Sequence, residues 1–492
     1  MSEQLKTLIT YPPLPSKKGY PLLSQNRQFQ WFRRHCPIYP VVPAQAATLL
    51  QKNGFEIIWK DGIAEEMKYA EWFEFAKKIQ PNIVVMETKT PTVKRHWKII
   101  NALKKEISTL KTILVGDHVT ALPEESFQNS KVDFVLTGGD YDFLLLNLLQ
   151  NLDSNFKPVT KNLEPGIYYR EQNTIKSTGK FLLNHNLNTL PFIDRGLTDW
   201  QNYAYDVGNF SRTPGTYIMA GRDCWHHECS FCSWTTLYPK YHTRTPKNVL
   251  DEIGELIEKY QVKEIMDDTG TFPIGEWLQE FCRGMIERGY NKKVILDCNM
   301  RFGAIDFAGY KLMKKAGFRF LLFGLESASE ETLNKISKNM TVEKIISSCK
   351  LARHAGLSPH VTIMFGYPWE TEEEARQTVR LGKYLLRKGY AKTLQATIVI
   401  PYPGTPLFRE CQQKEWLTSE DWNRYDMREA IMQTSFSSAQ LQKFVQDTYK
   451  VAFHPEFILR QIASLRDLND LKYLARGAKA VFAHLADFKQ NY

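Results

Sequence analysis

The sequence lacks long hydrophobic runs, dense clusters of like charge and internal repeats. None of its apolar stretches approaches the roughly 18 residues that a membrane-spanning helix needs. The first ten residues show no basic segment followed by an apolar one, so we expect no secretory leader and a cytoplasmic location. In that reducing compartment, the eight cysteines are expected to be metal ligands or buried thiols rather than disulfides.

Charge gives little indication of a macromolecular partner. The net charge of +10 is spread over 492 residues, without a long run of basic side chains. This distribution is typical of a solvated surface, so no nucleic-acid partner is expected. A chain of this length predicts about three domains.

Residues 1–152 alternate short apolar strands with helical segments. Strands are expected at 55–59, 82–86, 112–115 and 132–136. Such alternation predicts a doubly wound α/β domain of Rossmann or flavodoxin-like type, in which ligands bind beyond the carboxyl ends of the strands. The candidate ligand-binding residues at those ends are Thr88, Thr90, Gly116, Asp117, His118, Gly138 and Gly139.

The rest of the chain divides into three further segments. Residues 153–213 are irregular and polar and predict a linker. Six strand–helix units follow at 214–404, which is fewer than the eight of a closed barrel and predicts a partial (β/α)6 barrel. Residues 405–492 predict a small helical C-terminal domain. Its basic amphipathic segments at 457–460 and 471–485 either pack on the core or make a peripheral membrane contact.

Three cysteines lie on one short loop after the first strand of the second series. Cys224, Cys229 and Cys232 are separated by four and then two residues. Three thiolates can hold three irons of a [4Fe–4S] cluster, which leaves the fourth iron open to a substrate or cofactor. Zinc is the alternative, because His226 or His227 could complete the four ligands that it prefers.

The cysteine loop and the segments that follow the later strands resemble the radical S-adenosylmethionine (radical SAM) superfamily. The cysteine spacing is one residue longer than the family's usual one. The matching segments are 266–272, 298–301, 323–327, 365–371 and 401–407. The resemblance implies a [4Fe–4S] cluster that cleaves SAM reductively to a 5′-deoxyadenosyl radical. It implies that SAM is contacted by Asp267, Asp268, Thr269, Arg301, Glu326, Ser327 and Gly366.

The first domain resembles the cobalamin-binding domain that precedes many radical SAM cores. The resemblance implies cobalamin at the strand ends given above, although the Asp-x-His-x-x-Gly loop that ligates cobalt in other cobalamin proteins is missing. His118 lies two strands later than that loop would. A flavodoxin-like domain kept for packing or for another ligand is the alternative.

Together these resemblances imply a cobalamin-dependent radical SAM enzyme. The expected reaction is methyl transfer from methylcobalamin to an unactivated carbon. The alternatives are a radical rearrangement, ring contraction or cyclisation without net methylation, and a non-catalytic sensor. The implied partners are a small-molecule or lipid substrate and an electron donor such as flavodoxin or ferredoxin. No catalytic acid or base is identifiable, and the candidate pocket residues are Tyr367, Trp369, Tyr402 and His360.

Overall fold

The computed structural model describes residues 5–23, 29–172, 174–205 and 210–487. Its N-terminal part alternates strands and helices along the chain. In chain order these are β1 (Lys6–Tyr11), β2 (Tyr20–Pro21), β3 (Trp31–Phe32), α1 (Val41–Lys52), β4 (Glu56–Asp61), α2 (Tyr69–Ile79), β5 (Ile83–Glu87), α3 (Val93–Glu106), β6 (Lys111–Val115), α4 (Asp117–Ala121), α5 (Pro123–Asn129), β7 (Phe134–Leu136), α6 (Tyr141–Gln150), β8 (Ile167–Glu171) and β9 (Thr174–Ser177).

The first sheet has the order β4-β1-β5-β6-β7-β8-β9. Its first five strands are parallel. Numbered along the chain, they have the flavodoxin-like order 2-1-3-4-5, which confirms the predicted doubly wound fold. Strand β5 is buried at every position, as expected for an apolar strand that is covered by helices on both faces. The topological switch point, where ligands bind in this fold, lies between β1 and β5.

The sheet extends further along the chain than the sequence indicated. Strands β8 and β9 add two antiparallel strands to its edge, although this stretch was predicted to be an irregular linker. Both strands carry exposed polar residues on a sheet edge, so they lack the continuous apolar pattern that marks a buried strand. The remaining domain boundaries stay predictions.

The second part again alternates strands and helices. In chain order these are β10 (Gly215–Ile218), β11 (Gly221–Arg222), α7 (Trp234–Leu237), β12 (His242–Thr243), α8 (Pro246–Glu258), β13 (Glu264–Asp267), α9 (Glu276–Glu287), β14 (Ile295–Met300), α10 (Phe307–Lys315), β15 (Phe318–Glu326), α11 (Glu330–Lys335), α12 (Val342–His354), β16 (Ser358–Phe365), α13 (Glu372–Arg387) and β17 (Thr393–Ile398).

Six of these strands form one parallel sheet in the order β10-β13-β14-β15-β16-β17, which confirms the partial barrel. Hydroxyl side chains begin several of the helices by accepting a hydrogen bond from a backbone N–H of the first turn, which satisfies donors that the helix itself leaves unpaired. These caps are Thr245, Ser329, Thr341 and Thr371.

The C-terminal part is helical, with α14 (Pro406–Gln413), α15 (Ser438–Tyr449), α16 (Pro455–Ala463) and α17 (Leu468–Asp487). One continuous apolar core runs from β1 through the second sheet to α15. The two sheets therefore fold against each other rather than around separate cores. Among the described residues, no helix is long and apolar enough to cross a membrane.

Candidate functional site

The three cysteines of the predicted cluster loop lie between β11 and α7, beyond the carboxyl end of the second sheet. All three are free thiols and partly exposed. The loop is fixed at its centre, where the Ser230 N–H donates to the Ile336 carbonyl over 3.0 Å and the Leu407 N–H donates to the Ser230 carbonyl over 2.8 Å. The sulfur of Cys224 lies 2.8 Å from the Thr271 hydroxyl.

The described side chains around the cysteine loop do not form a ready-made zinc site. Within the described ranges, no three His, Cys, Asp or Glu side chains converge on one point as a mononuclear metal requires. The Nε2 atom of His226 forms a hydrogen bond with the Ser337 carbonyl at 2.8 Å. In a [4Fe–4S] cluster each thiolate binds a different iron, so the three sulfurs do not have to converge.

Two cationic side chains flank the cysteine loop. Lys338 is buried and its Nζ donates to Glu326 Oε1 over 2.9 Å, while Arg301 donates to the Lys338 carbonyl. Burial raises the pKa of the Cys229 thiol, and both cations oppose that rise. Burial also disfavours the charge of Lys338, but Glu326 and Cys229 hold its pKa above the usual value. The surroundings of the cysteine loop are therefore suited to anionic groups.

The segment after β13 connects the cluster loop to the sheet. Asp267 accepts hydrogen bonds from the backbone N–H groups of Ala220 and Thr269, at 2.8 and 3.0 Å. The Thr269 hydroxyl accepts from the Gly221 N–H at 3.0 Å. Burial raises the pKa of Asp267 to about 7. Both carboxylate oxygens of Asp267 are thus engaged with the protein, and Asp268 is buried beside it.

The ends of β15 and β16 contain the other predicted SAM contacts. Glu326 adopts a positive φ of 66° at a register shift of the sheet, which turns its carboxylate toward Lys338. The Ser327 hydroxyl accepts from the Ser329 N–H at 3.1 Å, and the Gly366 N–H donates to Glu370 over 2.9 Å. Ser327 and Gly366 therefore shape the strand ends through contacts within the protein.

Burial leaves other polar groups at these strand ends without protein partners. Tyr367 is fully buried, and its hydroxyl has no hydrogen bond within the part of the chain that the structure describes. The same holds for Glu370 Oε1, and burial raises the pKa of this carboxyl to about 8. Burial raises the pKa of Tyr367 well above its usual value, and the charge of Glu326 adds to the rise.

His118 has no nitrogen available for cobalt. It is fully buried, with Nδ1 3.2 Å from the Thr90 hydroxyl and Nε2 2.9 Å from Glu125. The Trp422 ring packs edge-on against it at 5.3 Å. Both ring nitrogens of His118 are therefore engaged with side chains of the protein.

The glycines of the first sheet allow close approach of other atoms. Gly116 has φ of 116°, and a Cβ there would lie 2.4 Å from the Thr88 carbonyl oxygen. A Cβ on Gly138 would meet Phe181, and one on Gly139 would lie 1.8 Å from the Tyr238 ring. Gly138 and Gly139 therefore accommodate aromatic side chains of the protein.

Lys89, which the sequence did not single out, is a buried cation at the switch point. Its Nζ lies 3.5 Å from Asp117 and 3.9 Å from Glu87. It makes no hydrogen bond to the described residues. Glu87 in turn accepts a hydrogen bond from the Tyr11 hydroxyl at the end of β1. An unsatisfied buried ammonium at the ligand-binding edge indicates a site for an acceptor atom of a bound molecule.

Arg222 connects the two sheets immediately before the cysteine loop. Its guanidinium donates to both oxygens of Asp142, at 2.9 and 2.5 Å, and to Asp140 at 2.7 Å. Asp140 also contacts His185 at 3.3 Å and His242 at 3.5 Å. The network holds the first sheet over the carboxyl end of the second, so the switch-point edge and the cysteine loop lie on the same side of the molecule.

Comparison with known proteins agrees with this architecture. Residues 218–382 match the radical SAM superfamily. An uncharacterized methyltransferase of Pyrococcus horikoshii is 26% identical over 425 residues, which are 85% of this chain and 88% of that protein. An anaerobic magnesium-protoporphyrin IX monomethyl ester cyclase of Cereibacter sphaeroides is 25% identical over 418 residues, 83% of this chain and 66% of that protein.

A solved structure shares the whole fold. The radical S-adenosylmethionine methyltransferase TsrM of Kitasatospora setae, with cobalamin and a [4Fe–4S] cluster bound, matches with a TM-score of 0.70. The match covers 98% of this chain and 100% of that chain at 14% sequence identity. The arrangement of a doubly wound domain on a partial barrel is therefore common to both proteins.

Proposed function

We propose, from the radical SAM domain that this chain carries, that the protein is a cobalamin-dependent radical SAM enzyme that transfers a methyl group to an unactivated carbon of a small molecule. The observation that carries the proposal is the pairing of Arg222 with Asp142, because it holds the ligand-binding edge of the first sheet beside the cysteine loop. A reaction that uses two cofactors requires such a shared space.

The residues around the loop fit the cluster and SAM. Cys224, Cys229 and Cys232 supply three thiolates, and the nearby cations offset their charge. Lys338 and Arg301 also suit the carboxylate of SAM, which ion pairs and charge-assisted hydrogen bonds would orient. When bound, the cluster supplies the electron that cleaves SAM and cobalamin supplies the methyl group.

The first domain fits cobalamin at the switch point between β1 and β5. Lys89 would donate to an oxygen acceptor of the corrin side chains, and Gly116 allows the backbone to approach. His118 would serve as a positioning residue through Thr90 and Glu125. The contacts of Thr88, Thr90, Gly116 and Asp117 with cobalamin are proposals on the same ground.

Ring formation without net methylation is a second candidate. The relative from Cereibacter sphaeroides is named a cyclase, and its match to this chain is almost as extensive as that of the methyltransferase. Both reactions would use the same site. An electron donor such as flavodoxin or ferredoxin is required in either case, which favours a cytoplasmic location.

Anaerobic purification with added hydroxocobalamin tests the proposal. About four irons and one cobalt per chain, with 5′-deoxyadenosine formed from SAM, are expected. S-adenosylhomocysteine would support methylation, and its absence during product formation would support ring closure. Cys229→Ala should lose the cluster's visible absorption and SAM cleavage, whereas the control Cys36→Ala should keep both. Iron without cobalt would contradict the role of cobalamin.

A further inference from the structure

Exposed apolar side chains are concentrated at one end of the molecule. Of the eleven large hydrophobic residues that are exposed in the described ranges, six lie between positions 453 and 471. Soluble proteins seldom expose contiguous apolar patches, and those that do generally use them for binding. The six residues are Phe453, Ile458, Leu459, Ile462, Leu468 and Leu471.

Three of them form a stripe on helix α16. Ile458, Leu459 and Ile462 are 42%, 66% and 54% exposed. They lie on one side of the helix, since Ile458 and Leu459 precede Ile462 by four and three positions, and residues with these spacings are neighbours on a helix surface. The opposite side packs on the protein through Gln461, whose amide donates to the Lys392 carbonyl over 3.2 Å. We call this stripe the α16 face.

The α16 face lies at the amino end of the second sheet. Lys392, which precedes β17, donates to the Ser464 hydroxyl just after α16. Arg319, at the start of β15, lies 5.3 Å over the Tyr473 ring of α17. The cysteine loop is at the other end of the same strands, so the α16 face is not the mouth of the proposed active site.

Several cationic side chains lie near the α16 face, and two of them, Arg460 on α16 and Arg466 just after it, are exposed. Burial lowers the pKa of Arg353, and Arg466 and Arg460 lower it further. Burial lowers the pKa of Lys392 to about 8, and electrostatic repulsion from Arg353 contributes to this shift. Asp470 partly offsets the repulsion at Lys392 and accepts from the Arg466 N–H at 3.0 Å. Asp467 and Asp470 also pair with Arg212, and Glu456 pairs with Arg387. The groups that face these cations are thus mainly positive.

We propose that the α16 face and its flanking arginines bind the surface of an anionic phospholipid membrane. Aliphatic side chains flanked by cations match the acyl boundary and the charged headgroups respectively. Nucleic acid would pair with the arginines but would leave the aliphatic stripe exposed. A symmetric second copy would bring two cationic clusters together, which electrostatic repulsion opposes.

Vesicle sedimentation of the cofactor-loaded full-length protein tests this proposal. Binding is expected with vesicles of phosphatidylcholine and phosphatidylglycerol, and much less with phosphatidylcholine alone. Arg460→Gln with Arg466→Gln should weaken binding about thirtyfold, because each basic residue near an anionic surface contributes about a factor of five. Leu459→Gln with Ile462→Gln should weaken binding by about tenfold or more.

A matched control separates the α16 face from general surface effects. Leu182 is 52% exposed and lies outside the α16 face, so Leu182→Gln should bind vesicles like the parent protein. All variants should keep the parent's thermal unfolding midpoint. Equal binding by every variant, or binding to single-stranded RNA but not to vesicles, would overturn the proposal. A dimer that dissociates on Leu459→Gln with Ile462→Gln, without vesicle binding, would assign the face to self-association.

Discussion

Arg222 and Asp142 form a buried, two-point ion pair that spans the two sheets. Both terminal nitrogens of the guanidinium donate to Asp142, at 2.9 and 2.5 Å, and both side chains are almost completely buried. Arg222 lies two residues before Cys224, so the position of the cysteine loop depends on an acidic residue of the first domain. The architecture thereby couples the two proposed cofactor sites.

Breaking this pair should loosen the contact between the sheets. Arg222→Lys removes the two-point geometry, and Asp142→Asn leaves a buried guanidinium with one anionic partner fewer. Losing one partner of a buried pair costs about 3–5 kcal/mol, so the thermal unfolding midpoint should fall clearly for Asp142→Asn. Arg376→Lys changes an exposed pair with Glu372 and should have little effect. Equal midpoints for Asp142→Asn and Arg376→Lys would contradict the coupling.

Lys338 should matter for SAM binding. Lys338→Met removes a buried cation beside Glu326 and Cys229, so the Kd for SAM should rise by about tenfold or more. The measurement is SAM binding to the cluster-loaded protein, with iron content determined on the same sample. Lys335→Met is the control, since Lys335 lies three residues before Lys338 and pairs with Glu331 on the surface. An unchanged Kd in Lys338→Met would remove Lys338 from the site.

Lys89 should determine how well the first domain retains cobalamin. Lys89→Met removes the buried ammonium that lies near Glu87 and Asp117 and leaves these two carboxylates without their cation. Cobalt content after purification with hydroxocobalamin should fall, while iron content should stay at the parent value. Lys98→Met, on an exposed face of α3, should retain both metals. A parent-like cobalt content in Lys89→Met would show that the ammonium does not contact the cofactor.

Stability should decrease above neutral pH because of His185. Burial disfavours its charge, but hydrogen bonds to Asp140 and Glu164 dominate and raise its pKa from 6.5 to about 9. The folded chain therefore keeps a proton that the unfolded chain releases, so the stabilisation is complete below pH 6.5 and declines as the pH rises to about 9. The contribution lies well below about 3.5 kcal/mol, which the full rise would give at about 1.4 kcal/mol per pKa unit, because solvent screens this partly exposed group.

Thermal unfolding at pH 6.5 and pH 9 measures this effect. His185→Gln should have a smaller difference between the two midpoints than the parent. His354→Gln, which changes an exposed histidine at the end of α12, should retain the parent's difference. If His185→Gln keeps the full difference as well, other groups cause the pH dependence.

Most strands of both sheets were predictable from the sequence, whereas β8, β9 and several key side chains were not. Strands such as β5 and β16 are buried along almost their entire length, so an apolar run identifies them. Lys89, Arg222 and Lys338 were missed because a charged residue next to a motif has no distinguishing pattern. Lys338 meets Glu326 only after α11 brings the chain back, twelve residues later. Tertiary contact alone gives these residues their environment.

The contact between Gly139 and Tyr238 makes the two halves of the chain poor candidates for exchange between relatives. A methyl group at position 139 would overlap the Tyr238 ring, so the two parts of the chain pack closely at this point. A chimaera that takes its first sheet from another protein would also need a residue at position 238 that fits the new residue at position 139. The spacing of the two halves at this point is thus set by the contact of Gly139 with Tyr238, and a larger residue at position 139 would force them apart.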